Sequence, residues 1–173
     1  TQYRCVVLAS FGCRKISGIA RLSVRFSTIF VDADANGNAD GSSWGDAYTG
    51  LQTAINAAAS LNTEIEIWIA KGTYYPSGIN SGQRDKSFMM YPKVALLGGF
   101  SGDEDAVTDR DWDANLTILS GNIGDPADDS DNIKNVVIAS SPDIGKRVDR
   151  TAVLDGLMIE KGYGPGGGAL IID

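Results

Sequence analysis

Short apolar runs separated by Gly- and Asp-rich turns constrain this chain more than any other feature. They fall at Ile65 to Ala70, Val94 to Leu97, Leu116 to Leu119, Val136 to Ala139 and Val153 to Ile159. Each is shorter than an ordinary helix and bounded by turn residues, so each reads as a buried strand. The steps from Ile67 to Val94, Leu116, Val136 and Val153 are 27, 22, 20 and 17 residues, close to one turn of a solenoid with loops of varying length. In such a stack, strands of successive turns pair roughly 4.8 Å apart, and alternate residues such as Ile65, Ile67 and Ile69 point inward. Periodicity alone also admits an antiparallel sandwich of the same strands.

Ahead of these runs lie a strand-like Thr28 to Val31, an acidic loop from Asp32 to Gly41, and a helical pattern. Ser43 followed by Asp46 has the form of an N-cap pair, and Tyr48, Leu51, Ile55 and Ala58 recur at three- and four-residue spacing. The pattern predicts one amphipathic helix over about 43–61. A single such helix beside strands needs a β surface to cover, which suits an end cap. At 173 residues the chain can bury one sizeable core without disulfide or metal staples.

Charge divides the chain at residue 28. Residues 1–28 carry Arg4, Arg14, Lys15, Arg21 and Arg25 and no acid, whereas residues 29–173 carry all 22 acids against ten bases. A body of that sign repels phosphate, so no nucleic-acid partner is expected. The leader's apolar run from Val6 to Phe11 is too short for a membrane span, and no transmembrane segment is expected. The leader reads in three ways: end-covering strands at Val6 to Leu8 and Leu22 to Phe26, a targeting segment, or an extension foreign to the domain. Cys5 and Cys13 both lie in it, so they can pair only with each other, and two free thiols are expected. Histidine is absent, which excludes His-dependent triads and imidazole metal ligands.

Several separated motifs then occur in a fixed order: Phe30-Val-Asp-Ala-Asp-Ala-Asn-Gly37, Asp40-Gly-Ser-Ser-Trp44, Leu51-Gln-Thr-Ala-Ile55, Ile67-Trp-Ile-Ala-Lys-Gly-Thr-Tyr74, Leu97-Gly-Gly-Phe-Ser-Gly102, Arg110-Asp-Trp112, Asn115-Leu-Thr-Ile-Leu-Ser-Gly121 and Val153-Leu-Asp-Gly-Leu-Met-Ile159. Together they resemble the start of bacterial parallel β-helix surface proteins of the polymorphic outer-membrane and pectate-lyase-like repeat type, over residues 29–173. The resemblance implies a mainly β fold: a right-handed parallel β-helix of a few coils, capped by one amphipathic α-helix. It implies a secreted or cell-surface location and a noncatalytic, adhesive or carbohydrate-contacting module with a glycan or cell-surface partner. The alternatives are a fragment of a polysaccharide lyase or glycoside hydrolase whose catalytic coils are missing, and a small stand-alone accessory protein. The chain ends at Asp173, just after Gly162-Tyr-Gly-Pro-Gly-Gly-Gly168, where regular repeats begin in such families, and the leader has no counterpart in the motif set. A truncated or recombined gene product is therefore expected, its last coil either pairing with a second copy as a homodimer or capped by the tail from Pro165 to Asp173.

Candidate site residues follow from chemistry. Asp32, Asp34, Asn36 and Asp40 stand at positions 1, 3, 5 and 9 of an EF-type calcium loop with Gly37 at position 6, although position 12 is Ser43 rather than Glu. The same residues equally suit an Asx-rich turn that satisfies its own backbone. Acidic groups at 103–113 and 125–131 read as solvated turns; a carboxylate pair for glycoside hydrolysis, or a base for β-elimination among Lys71, Lys93 and Arg110, is the enzymatic alternative. No catalytic residue is assigned. Trp68, Tyr74, Tyr75, Tyr91 and Trp112 are candidates for a sugar-stacking platform. Trp68 alternates with Ile67 and Ile69, so it faces away from them, either open to solvent or beneath the helix or leader. Asn115-Leu-Thr117 has the form of a glycosylation sequon, which chance explains.

Overall fold

The structure, a computed structural model, describes residues 2–3, 6–8, 14–16, 20–21, 27–76, 82–139, 148–164 and 168–172. In the leader, β1 (Gln2–Tyr3) pairs antiparallel with β4 (Ala20–Arg21), and β2 (Val6–Leu8) with β3 (Arg14–Ile16). Val6–Leu8 is thus a strand, as in one of the three readings of the leader. Leu22 to Phe26, Cys5 and Cys13 lie outside the described residues.

The body is mainly β, with parallel sheets and, among the described residues, one α-helix. Sheet one holds β5 (Ser27–Val31), β6 (Ile65–Ala70), β9 (Val94–Phe100) and β12 (Val153–Asp155) in that order. Sheet two holds β7 (Gly72–Tyr74), β10 (Thr117–Ser120) and β13 (Met158–Glu160), and sheet three holds β8 (Phe88–Met89), β11 (Val137–Ala139) and β14 (Leu170–Ile172). From β6 onward the chain visits sheets one, two and three in the same order three times, adding one parallel strand to each at every visit. Pro165, Gly166, Gly167 and Asp173 of the expected capping tail lie outside the described residues; Leu170–Ile172 continues sheet three beside β11.

That order corrects the spacing argument. Ile67, Val94 and Val153 belong to sheet one, but the runs at Leu116 and Val136 belong to sheets two and three, so the steps between them measure passages between sheets as well as turns. Within sheet one the true equivalents are Ile29, Ile67, Leu96 and Leu154, which stand in register across four strands.

Alternation decides what each face does. In β6, Ile65, Ile67 and Ile69 are buried on the inner side, where they join Val31, Val94, Leu96, Phe88, Leu119 and Val137 in one apolar cluster drawn from all three sheets. Each fully buried aliphatic side chain there contributes roughly 1.5–3 kcal/mol by its removal from water. The helix α1 (Leu51–Ser60) presents Leu51, Ala54, Ile55 and Ala58 to that cluster and packs against β5, β6, β8 and β9.

The helix begins at Leu51, eight residues after the expected start. Ser43 and Asp46 do bond to each other, the Asp46 N–H donating to Ser43 Oγ at 3.1 Å, but they close a local turn. The backbone that follows is committed elsewhere: Tyr48 N–H donates to the Phe30 carbonyl at 2.9 Å and Asp32 N–H donates to the Tyr48 carbonyl at 3.0 Å. Backbone groups tied to a strand cannot also close helical turns. The N-cap is Gly50, with no side-chain cap, and the helix stops before Asn62, which takes the left-handed conformation (φ 50°) that asparagine tolerates better than most residues.

Where the chain leaves sheet one for sheet two, the backbone of β9 almost touches that of the residue after β12. A Cβ on Gly98 would stand 2.3 Å from the Gly156 carbonyl oxygen, so only glycine fits there. Among the described residues, no helix is long and apolar enough to cross a membrane.

Candidate functional site

The outer face of sheet one carries aromatic residues where the inner face carries aliphatic ones. Phe30, Trp68 and Leu97 stand in register on neighbouring strands, one position out of phase with the inner row. Two loops cover them. The loop after β5 brings Trp44, and the segment after β9 brings Val107, while Phe100 comes from the end of β9 itself. Trp68 stacks on Phe100 at 4.8 Å between centroids with planes 13° apart, and Trp44 sits edge-on to Phe30 at 4.8 Å. Such geometries add to the area the rings bury.

Hydrogen bonds fix both indoles. Trp68 Nε1 donates to Glu66 Oε2 at 3.0 Å, and Trp44 Nε1 donates to the Glu104 carbonyl at 3.0 Å, a contact that joins the two covering loops. Glu104 is itself held, its carboxylate accepting from the N–H groups of Ser101, Gly102 and Asp103 and from the Ser101 hydroxyl. Partial burial pushes the Glu104 carboxyl up, but those donors together outweigh it and hold the carboxyl below its ordinary value.

Beside this cluster a cleft of about 660 Å³ opens to solvent. Phe30, Trp44 and Trp68 supply aromatic surface, Glu66, Glu104 and Asp105 supply carboxylates, and Thr28, Ser42 and Ser43 supply hydroxyls. Among the described residues, neither Lys nor Arg lines it. Aromatic surface beside hydrogen-bonding groups of negative sign suits a ligand with one apolar face, many hydroxyls and either no charge or a positive one.

The five aromatics expected to form a platform are not brought together. Trp68 is 7% exposed and forms the floor of this cleft. Tyr74 is buried, its hydroxyl donating to the Ala70 carbonyl at 3.0 Å, and burial pushes that hydroxyl well above the usual tyrosine range. Tyr75 is half-buried beside it near the start of α1, and Tyr91 packs half-buried against the inner cluster. Trp112 is 53% exposed but lines a separate cleft with Leu116 and Met158. The aromatics that sequence reasoning passed over are Phe30, Trp44 and Phe100. Phe30 carries a signal of its own, because it alternates with the inward Ile29 and Val31.

Of the candidate bases, Arg110 and Lys93 are tied into contacts within the chain. Arg110 is 11% exposed at its side chain and fully engaged: Nη2 donates to Asp155 Oδ2 at 2.8 Å, Nε to the Val107 carbonyl at 3.1 Å, and Nη1 to the Gly98 carbonyl at 3.4 Å. Its guanidinium also lies 5.5 Å from the Trp112 ring centroid and 5.8 Å from that of Phe100. Lys93 Nζ donates to both Asn62 oxygens at 3.1 Å, and Lys71 is exposed.

Nor does the EF-like loop gather its oxygens around one point. Asp32 Oδ1 accepts from Asp34 N–H, Asp40 Oδ1 accepts from Ser42 N–H, and Asn36 Nδ2 donates to the Asp34 carbonyl, each at 2.9 Å. Ser42 holds the Asp40 carboxyl below its ordinary value. Asp32, Asp34, Asn36 and Asp40 therefore satisfy an Asx-rich turn, and among the described residues no group of three or more Asp, Glu or Cys side chains is placed to hold a metal ion.

Comparison with protein-family models, with curated proteins and with solved structures finds no match. The fold and cleft thus define the class by themselves: a mainly β protein of parallel sheets with one covering helix and an aromatic, carboxylate-rimmed cleft on the outer face of sheet one.

Proposed function

We propose that this chain is the helix-capped opening of a right-handed parallel β-helix, and that it serves as a noncatalytic secreted or cell-surface module contacting carbohydrate through the outer face of sheet one. The fold reading is supported by the threefold repetition of the order sheet one, sheet two, sheet three. The observation that carries the function is the cleft over Phe30, Trp44 and Trp68, with Glu66, Glu104 and Asp105 at its rim. Pyranose rings offer an apolar face to an indole while their hydroxyls donate to carboxylates. The carboxylates among its described lining residues favour neutral or amino sugars over uronic acids, which they would repel.

The test is to incubate the purified chain with neutral, amino-sugar and acidic polysaccharides, scoring co-sedimentation and the release of new chain ends. Binding to neutral or cationic polymers, weakened about tenfold by Trp44→Ala as expected for a stacking residue, supports the reading. New chain ends replace it with a lyase or glycoside hydrolase fragment. Binding that Trp44→Ala leaves unchanged moves the contact away from this cleft. A homodimer through the last strands β12, β13 and β14 belongs to the same proposal, and sedimentation velocity of the free chain tests it.

A further inference from the structure

The outer face of sheet one carries a second cleft, of about 450 Å³, beside the first. Glu66 lines both. Register accounts for their contact: Thr28, Glu66, Ala95 and Val153 stand in one row across β5, β6, β9 and β12, next to the row of Phe30, Trp68 and Leu97. Ala95, Leu97 and Val153 give the second cleft an apolar floor, and Val153 is 40% exposed. Its charges are separated by strand. Glu64 and Glu66 come with β6, whereas Lys93 comes just before β9 and Arg150 shortly before β12.

Neither cation is in an ion pair among the described residues. The Lys93 N–H donates to Thr151 Oγ1 at 2.7 Å, which ties the start of β9 to the residue after Arg150. Lys93 Nζ donates to two uncharged oxygens of Asn62, each at 3.1 Å, so the ammonium is anchored while its charge stays unpaired and one N–H is left over. Asp149, beside Arg150, is turned to Thr151, whose N–H and hydroxyl both donate to its Oδ1. Lys93 also holds the left-handed conformation (φ 66°), which glycine or asparagine adopts more readily. A long cation placed where a smaller residue would be relaxed is strain of the kind that collects at binding sites.

A cleft acidic at β6 and basic at β9 and β12 matches a ligand that carries both signs, because a ligand of one sign would be repelled at one side. Neighbouring strands lie about 4.8 Å apart, so the two sides stand roughly 5–10 Å from each other, within reach of adjacent sugar rings. We propose that the two clefts are subsites of one surface and that its ligand is a zwitterionic glycan, with an amino sugar beside Glu66 and a carboxylate on the neighbouring sugar between Lys93 and Arg150. The proposal rests on the carbohydrate reading of the first cleft and narrows it: the carboxylates there still repel a chain made wholly of uronic acids, and the acid of an alternating chain falls on the basic side instead.

The experiment is calorimetric titration of the full chain, in mildly acidic buffer that keeps amines and carboxylates both charged, with three oligosaccharides of equal length. De-N-acetylated hyaluronan alternates glucosamine with glucuronic acid, hyaluronan has the acid without the free amine, and chitosan has the amine without the acid. The zwitterionic chain should bind about tenfold more tightly than either of the others. Lys93→Asn, which suits the left-handed backbone, and Arg150→Gln, on an exposed side chain, should each remove most of its advantage over chitosan while chitosan binding and the urea midpoint hold or, for Lys93→Asn, the midpoint rises. Trp44→Ala should weaken both chains. If the zwitterionic chain and chitosan bind alike and neither cation variant alters either, the second subsite is wrong while the carbohydrate reading stands. If hyaluronan binds as tightly as its de-N-acetylated form, the amine has no place at Glu66 and the proposal is overturned. If none of the three binds, the carbohydrate reading falls and the proposal with it.

Discussion

The two faces of sheet one are built on opposite terms. The inner row Ile29, Ile67 and Leu96 is dry and aliphatic, and its neighbours come from the other sheets and the helix. The outer row Phe30, Trp68 and Leu97 lies one residue away on the same strands, is aromatic-rich, and among the described residues is covered by two loops and by Phe100. The inner face secures the fold, whereas the outer face leaves room beside its rings for a ligand. A pleated strand delivers both because successive side chains point to opposite sides.

The largest expected effect separates these rows directly. Leu96→Ala removes a side chain with no solvent contact and should cost about 3 kcal/mol, within the range for large-to-small core changes. Leu97→Ala, its neighbour on the outer face, should cost roughly half as much, because loops can settle onto the gap and lessen the cavity. Urea unfolding of both variants measures the difference. Equal losses would mean that the covering loops are as rigidly packed as the core.

Next comes the corner where both faces end. Gly98→Ala forces a methyl against the Gly156 carbonyl and the Thr117 side chain, an overpacking that should cost about 2 kcal/mol. Gly45→Ala, whose added methyl meets only Ser43 Oγ at 3.9 Å, is the control and should change the urea midpoint little. A tolerated Gly98→Ala would show that β9 and the backbone after β12 can move apart there.

How much of this was legible depends on which face a residue serves. Alternation in Ile65-Glu-Ile-Trp-Ile-Ala70 predicts β6 with its bounds and assigns its inner residues, because burial on one side leaves a period of two in the sequence. It also turns Trp68 outward. What covers Trp68 was not legible, since Trp44 and Val107 arrive on loops whose paths are set by backbone contacts such as Tyr48 to Phe30. Strands β7, β8 and β14, of two or three residues, carry too little pattern to find. Their omission is also why runs from different sheets looked like one repeat. The acidic loop shows the same division: its calcium-like spacing at Asp32 to Asp40 is legible in the sequence, whereas the bonds that the Asp32 and Asp40 carboxylates accept from their own backbone are not. Spacing records what residues are present, and only the fold decides where their oxygens point.

The smallest effect lies in the loop that closes the outer face, and pH exposes it. Glu104 is charged and bound by donors in the folded chain, which holds its carboxyl below the ordinary value of 4.5. A depressed carboxylate stabilises the fold fully above its unfolded value, and the stabilisation is lost as pH falls through the folded one. Glu104→Gln keeps the shape but loses the charge, so it should cost about 1 kcal/mol at pH 7. The gap to the parent chain should stay constant down to about pH 4.5 and then close, because a protonated Glu104 accepts hydrogen bonds hardly better than an amide. Denaturant midpoints measured across that range decide it. A gap that persists undiminished well below the ordinary carboxylate range would mean that Glu104 holds the cover by its shape, and that the outer face owes nothing to charge. A gap that closes as expected makes the cover of sheet one acid-sensitive, while the inner row, which has no titrating group, stays as it is.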